Sequence, residues 1–291
     1  MCDQDHFEDD RQEYESRGLV TRKQFGVMLG AGVAMMLPRV ANAVTVTESD
    51  VNVTTPDGTA DCYFAHPASG TAAGVLVWPD IFGLRPAFRA MATRLAESGY
   101  TVLVINPFYR TQKAPTSPEH PNWDDPPTRD ALMALAHSLT PATAATDAKA
   151  FVSYLDAHAA VDVKKKIGTT GYCMGGPLVL RTAAARADRI GAAATFHGGG
   201  LVTKEPDSPH LLIAQSKAHY LIAIAANDDE RDPTAKTVLR ETFDRAQLPA
   251  EVEVYAGTQH GWCPPDSAVY NRESAEKAWA RLLVLLNGAL A

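Results

Sequence analysis

The chain has 291 residues and a mass of 31.2 kDa, with 46% hydrophobic and 21% charged residues, which suits one large soluble domain and excludes disordered, collagenous and coiled-coil classes. A formal net charge of -7 supplies no positive field for a polyanion, so no nucleic-acid partner is expected. Four cysteines in a chain of this size make no disulfide framework, and without C-x-x-C or His-rich spacing no metal site is expected.

Residues 1–20 are acidic and polar without apolar periodicity and read as a disordered leader. Arg22-Lys23-Gln24-Phe25 then precedes an uncharged apolar stretch from Gly26 to Leu37 and the small residues Ala41 and Ala43, the order of a secretory signal. The stretch is shorter than the roughly 20 residues that a membrane span needs, so no stable membrane insertion is expected. It resembles a twin-arginine-type signal, with Lys23 where the second arginine is usual. Residues 1–43 are therefore expected to be a leader plus export signal, and 44–291 a periplasmic or secreted domain. A frayed amphipathic helix on a cytoplasmic protein is the alternative.

From residue 44 onward strand-like and helix-like segments alternate. Val51 to Thr54 and Ala60 to Ala65 flank Pro56-Asp57-Gly58, which predicts an opening antiparallel hairpin. Gly74 to Trp78 and Thr101 to Asn106 are continuous apolar runs, as in strands buried on both faces of a parallel sheet. Between them Ala87 to Ser98 has helical spacing and stops at Gly99. Thr111 to Thr128, rich in Pro, Ser, Asp and Asn, reads as a long surface loop or lid. A helix around Thr146 to His158, a strand from Lys166 to Thr170 and a helix from Pro177 to Ala187 follow. Strands at Ala192 to Phe196, Tyr220 to Ala226 and Glu251 to Ala256 and an amphipathic helix from Arg272 to Leu286 complete the pattern. This order predicts a mostly parallel, doubly wound α/β sheet with helices on both faces and an N-terminal antiparallel hairpin.

Between the strand KIGTT and the helix PLVLRTAAARA lies Gly171-Tyr172-Cys173-Met174-Gly175-Gly176, the small-x-nucleophile-x-small pattern of the α/β-hydrolase elbow, with cysteine as nucleophile. Glycines are required two before and two after because the turn leaves no room for a side chain. The Met174 N–H, at the helix start, is a candidate oxyanion donor. In this fold the acid and then the histidine follow the nucleophile. His260 qualifies as the base, in a loop after the strand EVEVYA, whereas His219 lies at the wrong strand end and His210 in a Pro-flanked loop. Asp228, Asp229 and Asp232 compete for the acid after YLIAIAA, with Asp229 preferred for standing four before Pro233. His197-Gly198-Gly199-Gly200 imitates an esterase oxyanion motif but follows the nucleophile instead of preceding it, so His197 is at most a wall residue of the pocket.

With GYCMGG, Asp229 and His260 in place, the chain resembles the dienelactone hydrolase family over most of residues 50–288. Trp78-Pro79-Asp80-Ile81-Phe82-Gly83 is similar to the family's acidic-Ile-Phe-Gly segment, which implies Ile81 as the second oxyanion N–H and Asp80 as the acid that modulates the resting thiol. Tyr109-Arg110 matches a segment whose arginine contacts a substrate carboxylate, and His260-Gly261-Trp262 a His-small-Phe pattern. The resemblance thus implies Arg110, Tyr109 and Trp262 as substrate-binding residues. Two departures stand out: Asp80 replaces the usual glutamate, and prolines 264 and 265 stand where some members carry a second arginine. A carboxylic ester hydrolase acting on a small, carboxylate-bearing ester or lactone through a Cys-His-Asp triad and a thioester is implied, with no cofactor, as a monomer or homodimer. The alternative is a non-catalytic small-molecule binding protein of the same fold. Cys62 and Cys263 are expected either to pair or to pack as small apolar residues.

Overall fold

A computed structural model describes residues 37–118 and 122–291; the expected leader, Cys2 and all of the apolar signal stretch before Leu37 lie outside the described residues. Eight strands form one sheet in the order β1-β2-β4-β3-β5-β6-β7-β8. β1 (Val46–Thr55) and β2 (Gly58–Pro67) are the expected hairpin, closed by Thr55 opposite Gly58, and β2 continues antiparallel to β4 (Thr101–Ile105). β3 (Gly74–Trp78), β5 (Ile167–Tyr172), β6 (Ile190–Phe196), β7 (His219–Ala225) and β8 (Ala250–Tyr255) are parallel to one another and to β4.

The central strands are buried on both faces because helices cover both. Alternate side chains divide accordingly: Leu76 and Leu103 join one core, Val75 and Val102 the other. The first core is completed by Phe151 of α3 (Pro141–Ala157), Val179 of α4 (Gly175–Ala185) and Phe243 of α6 (Ala235–Ala246). The second takes Phe88 of α1 (Pro86–Glu97) and Leu282 of α7 (Arg272–Ala289). Cys62 lies in the first and Cys263 in the second, so the two free, buried thiols occupy opposite sides of the sheet and pack apolar instead of pairing.

The expected loop ends early. Asp125 caps α2 (Pro126–Ala136), its carboxylate accepting from the Thr128 N–H at 3.1 Å, so Pro126-Pro127 opens a helix instead of extending a loop. α3 starts at Pro141 behind a Thr140/Thr143 capping box, five residues before the expected Thr146. α6, the short α5 (Ala226–Arg231) and a 3-10 helix (Pro209–Gln215) are additional to the sequence reading. No helix among the described residues is long and apolar enough to cross a membrane. The parallel arrangement gathers the C-terminal ends of β3, β5, β6, β7 and β8 at one edge, where an open α/β sheet presents its loops to ligands.

Candidate active site

β5 ends at Tyr172, Cys173 makes the turn, and α4 starts two residues later at Gly175. So abrupt a reversal forces Cys173 to φ +51°, the left-handed region that costs an L-residue on the order of 1–3 kcal/mol. Its N–H is held by the Phe196 carbonyl at 3.1 Å, and its carbonyl accepts from the Gly176 N–H at 3.0 Å. The flanking glycines are required by contact. A Cβ on Gly171 would sit 2.3 Å from the Gly175 oxygen, and one on Gly175 would sit 2.4 Å from the Trp78 oxygen. α4 therefore starts directly against the end of β3, which brings the elbow beside the loop that carries Ile81.

The half-buried Cys173 thiol lies 3.0 Å from His260 Nε2. His260 Nδ1–H donates to Asp228 Oδ2 at 2.7 Å. The acid at the imidazole is thus Asp228 and not the expected Asp229, which accepts from Lys236 Nζ at 2.6 Å. The physical reason is angular: both stand on the short α5, where neighbours point about 100° apart, so one faces the His260 loop and the other α6. Asp232 accepts from the Thr234 hydroxyl at 2.8 Å. Asn227 Oδ1 accepts from the His260 backbone N–H at 2.8 Å, so consecutive residues hold the histidine by main chain and by ring. Burial works against charge on His260, but the hydrogen bonds to Asp228 and Cys173 outweigh it and push the imidazole up from 6.5 to about 10.

Of the expected oxyanion donors, Met174 lies between Cys173 and the first turn of α4, and Ile81 follows β3 in the abutting loop. Neither N–H donates to a protein acceptor among the described residues. Asp80 departs from expectation. Its carboxylate is fully engaged by Arg85, Nη1 to Oδ1 at 2.6 Å and Nη2 to Oδ2 at 2.9 Å, and no hydrogen bond joins it to the thiol.

The expected substrate-binding set is also revised. Arg110 bonds Asp147 at 2.6 and 2.8 Å and Asp57 at 2.6 and 3.0 Å, and the Tyr109 hydroxyl bonds Asp147 and Thr55, each at 2.7 Å. Both residues thus belong to a network around the buried Asp147 that ties α3 to the β1–β2 turn, which leaves the guanidinium no free edge for a substrate carboxylate. Trp262 is fully buried and stacks on Tyr255, so it is core beneath the histidine loop, not a substrate contact. His197 is fully buried, at φ +40°, with its ring edge-on to His260 at 5.2 Å between centroids. It lies behind His260 and not on an open pocket wall, and burial holds it well below the usual histidine range, hence neutral. Among the described residues no group of three or more His, Cys, Asp or Glu is placed to hold a metal ion.

Sequence reasoning missed Asp228 as the preferred acid, and Asn227, Arg85 and Asp266 altogether. For Asn227 a usable signal existed, since a polar side chain directly after β7 stands at the ligand-facing edge. Arg85 carried none, because its partners come from two separate loops.

The family model of the dienelactone hydrolases matches residues 60–290. A carboxymethylenebutenolidase from Rhodococcus opacus is 28% identical over 208 residues, covering 70% of this chain and 77% of its own. Among solved structures, a dienelactone hydrolase-like promiscuous phosphotriesterase from metagenomic libraries superposes with a TM-score of 0.70 at 21% identity, covering 84% of this chain and 99% of its own. The dienelactone hydrolase of Anabaena variabilis does so with a TM-score of 0.58 at 16% identity and the same coverage. At those identities the structures establish the shared α/β-hydrolase fold, while the match over residues 60–290 carries the assignment: this chain belongs to the dienelactone hydrolase family and is a hydrolase of esters or lactones.

Proposed function

We propose that the protein cleaves a small ester or lactone by acyl transfer to Cys173. The observation that carries this reading is the unbroken relay from Cys173 Sγ to His260 Nε2 at 3.0 Å and from His260 Nδ1 to Asp228 at 2.7 Å, seated on a nucleophile elbow. The thiolate adds to the carbonyl carbon, and the carbonyl electron pair moves onto oxygen, where the Met174 and Ile81 N–H groups receive it. As the tetrahedral centre collapses, the ester C–O bond breaks and His260 gives its Nε2 proton to the leaving oxygen. His260 then takes a proton from water, the hydroxide adds to the thioester, and the C–S bond breaks to return the thiolate and a carboxylic acid. Asp228 holds the tautomer and orientation that both transfers need.

The network around Arg110 supports no carboxylate clamp at that residue, so the proposed substrate class is a small ester or lactone without a required charge. The test is a chromogenic short-chain ester with mass spectrometry of the acylated enzyme. Acyl mass on Cys173 with a burst of product is expected, lost in Cys173→Ala; turnover retained in Cys173→Ala would refute the reading. We further propose export of residues 44–291, because the first described strand, β1, begins at Val46 and removal of residues 1–43 leaves every described strand intact. Cell fractionation with N-terminal sequencing tests this, and a chain found in the cytoplasm alone and starting at Met1 would refute it.

A further inference from the structure

The Arg85 guanidinium carries five N–H donors, and each has an acceptor. Two go to Asp80 at 2.6 and 2.9 Å, two to Asp266 at 2.6 and 3.0 Å, and one to the Gly83 carbonyl at 3.4 Å. Its Cζ lies over the rings of Phe82 and Phe88, at 5.4 and 5.0 Å from their centroids. The Arg85 side chain is 5% exposed and those of Asp80 and Asp266 are 7% and 16% exposed, so one cation and two anions have been taken largely out of water. Burying three charges is a costly way to fill a core, since apolar residues of similar volume commonly stabilise as well or better. What the arrangement does provide is a fixed geometry between two loops, one carrying Ile81 and the other carrying His260 six residues before Asp266.

The consequence for Ile81 follows from peptide planarity. The Ile81 N–H and the Asp80 C=O belong to one trans peptide and point in opposite directions. That carbonyl accepts from the Gly83 N–H at 3.0 Å, and the Asp80 carboxylate accepts from the Phe82 N–H at 2.9 Å, so both ends of Asp80 fix the plane of the peptide. The direction of the Ile81 N–H is therefore set by Asp80, Asp80 is gripped by Arg85, and Arg85 is anchored by Asp266 in the histidine loop.

We propose that Arg85, with Asp266 as its anchor, is a positioning residue that aims the Ile81 N–H at the developing oxyanion and keeps it in register with His260. This rests on the thiol-hydrolase reading above. The experiment pairs ester turnover with alkylation of Cys173 by iodoacetamide, a displacement at saturated carbon that forms no oxyanion. In Asp266→Asn, kcat for the ester is expected to fall on the order of 10- to 100-fold, below the roughly 100- to 1000-fold for outright loss of a donor, with KM within about threefold. Cys173 alkylation stays within about twofold of wild type. Arg85→Lys keeps the charge but loses the fork, and the same split is expected, which decides the matter should Asp266→Asn fail to fold; Asp266→Glu restores most of kcat. Unchanged kcat, or alkylation falling in parallel with kcat, overturns the clamp. Failure of the underlying reading looks different, since wild-type enzyme would then show no acyl-Cys173 at all.

Discussion

Asp228 and Asp229 stand side by side after β7, and the structure assigns them opposite duties, which makes the pair a sharp test. Against the opposing effect of burial, the hydrogen bonds to Asp228 and Cys173 raise His260 from 6.5 to about 10. Asp228 is one of the two partners that favour the protonated ring, and losing a hydrogen bond to a charged group costs about 1.5–3 kcal/mol, or roughly 10- to 150-fold in rate. Asp228→Asn also puts a donor group where Nδ1–H needs an acceptor and so favours the wrong tautomer; in serine proteases the corresponding change costs about 10⁴ in kcat. Asp228→Asn is thus expected to lower kcat/KM between about 10² and 10⁴. Asp229→Asn, which removes the charge opposite Lys236 and touches neither Cys173 nor His260, is expected to leave kcat/KM within about threefold. The assay is stopped-flow acylation with a chromogenic ester across pH 5 to 10, with thermal melts as a folding control. Equal losses in the two variants, or more than a tenth of wild-type activity in Asp228→Asn, would refute the assignment.

Two more outcomes separate structural from chemical roles. Arg110→Met should cost about 3–5 kcal/mol in urea unfolding, because it strands the buried Asp147 carboxylate, yet leave unchanged the KM ratio between a carboxylate-bearing and a neutral ester of equal size. A KM that rises for the charged ester alone would restore the substrate role that the resemblance implies. His197, kept neutral by burial, has a folded pKa below its unfolded value, so the unfolded chain takes up the proton first as pH falls through about 6.5 and stability is lost below that point. His197→Phe removes this term, so the melting temperature of the variant relative to wild type should rise between pH 8 and pH 5; parallel pH profiles would refute it.

Where local pattern decides structure, the sequence was a reliable guide. The apolar run Gly74–Trp78 coincides with β3 at both ends because a strand covered on both faces has no choice but to be continuously apolar. α6 escaped notice because its stripe is thin, with Leu239 and Phe243 its buried residues, and α2 because Pro126-Pro127 reads as a breaker until Asp125 is seen to cap it. Cys173 and His260 were legible for a different reason: one is confined by glycines that nothing larger can replace, and the other by the order of loops at one sheet edge.

The failures share a cause. A charged residue announces itself in sequence, but its partner does not. Arg110 finds carboxylates 37 and 53 positions away and Arg85 finds one 181 positions away, so both arginines are spent on partners that no spacing reveals. Asp80 reads as a free acid near a thiol even though its partner Arg85 stands only five residues on, because that spacing alone does not show the guanidinium folding back onto it. Whether an ionisable group is available for chemistry is a property of the pairs it has already formed, and in this chain the pairs claim Arg110, Asp80 and Asp229 while leaving Cys173, His260 and Asp228 bonded chiefly to one another.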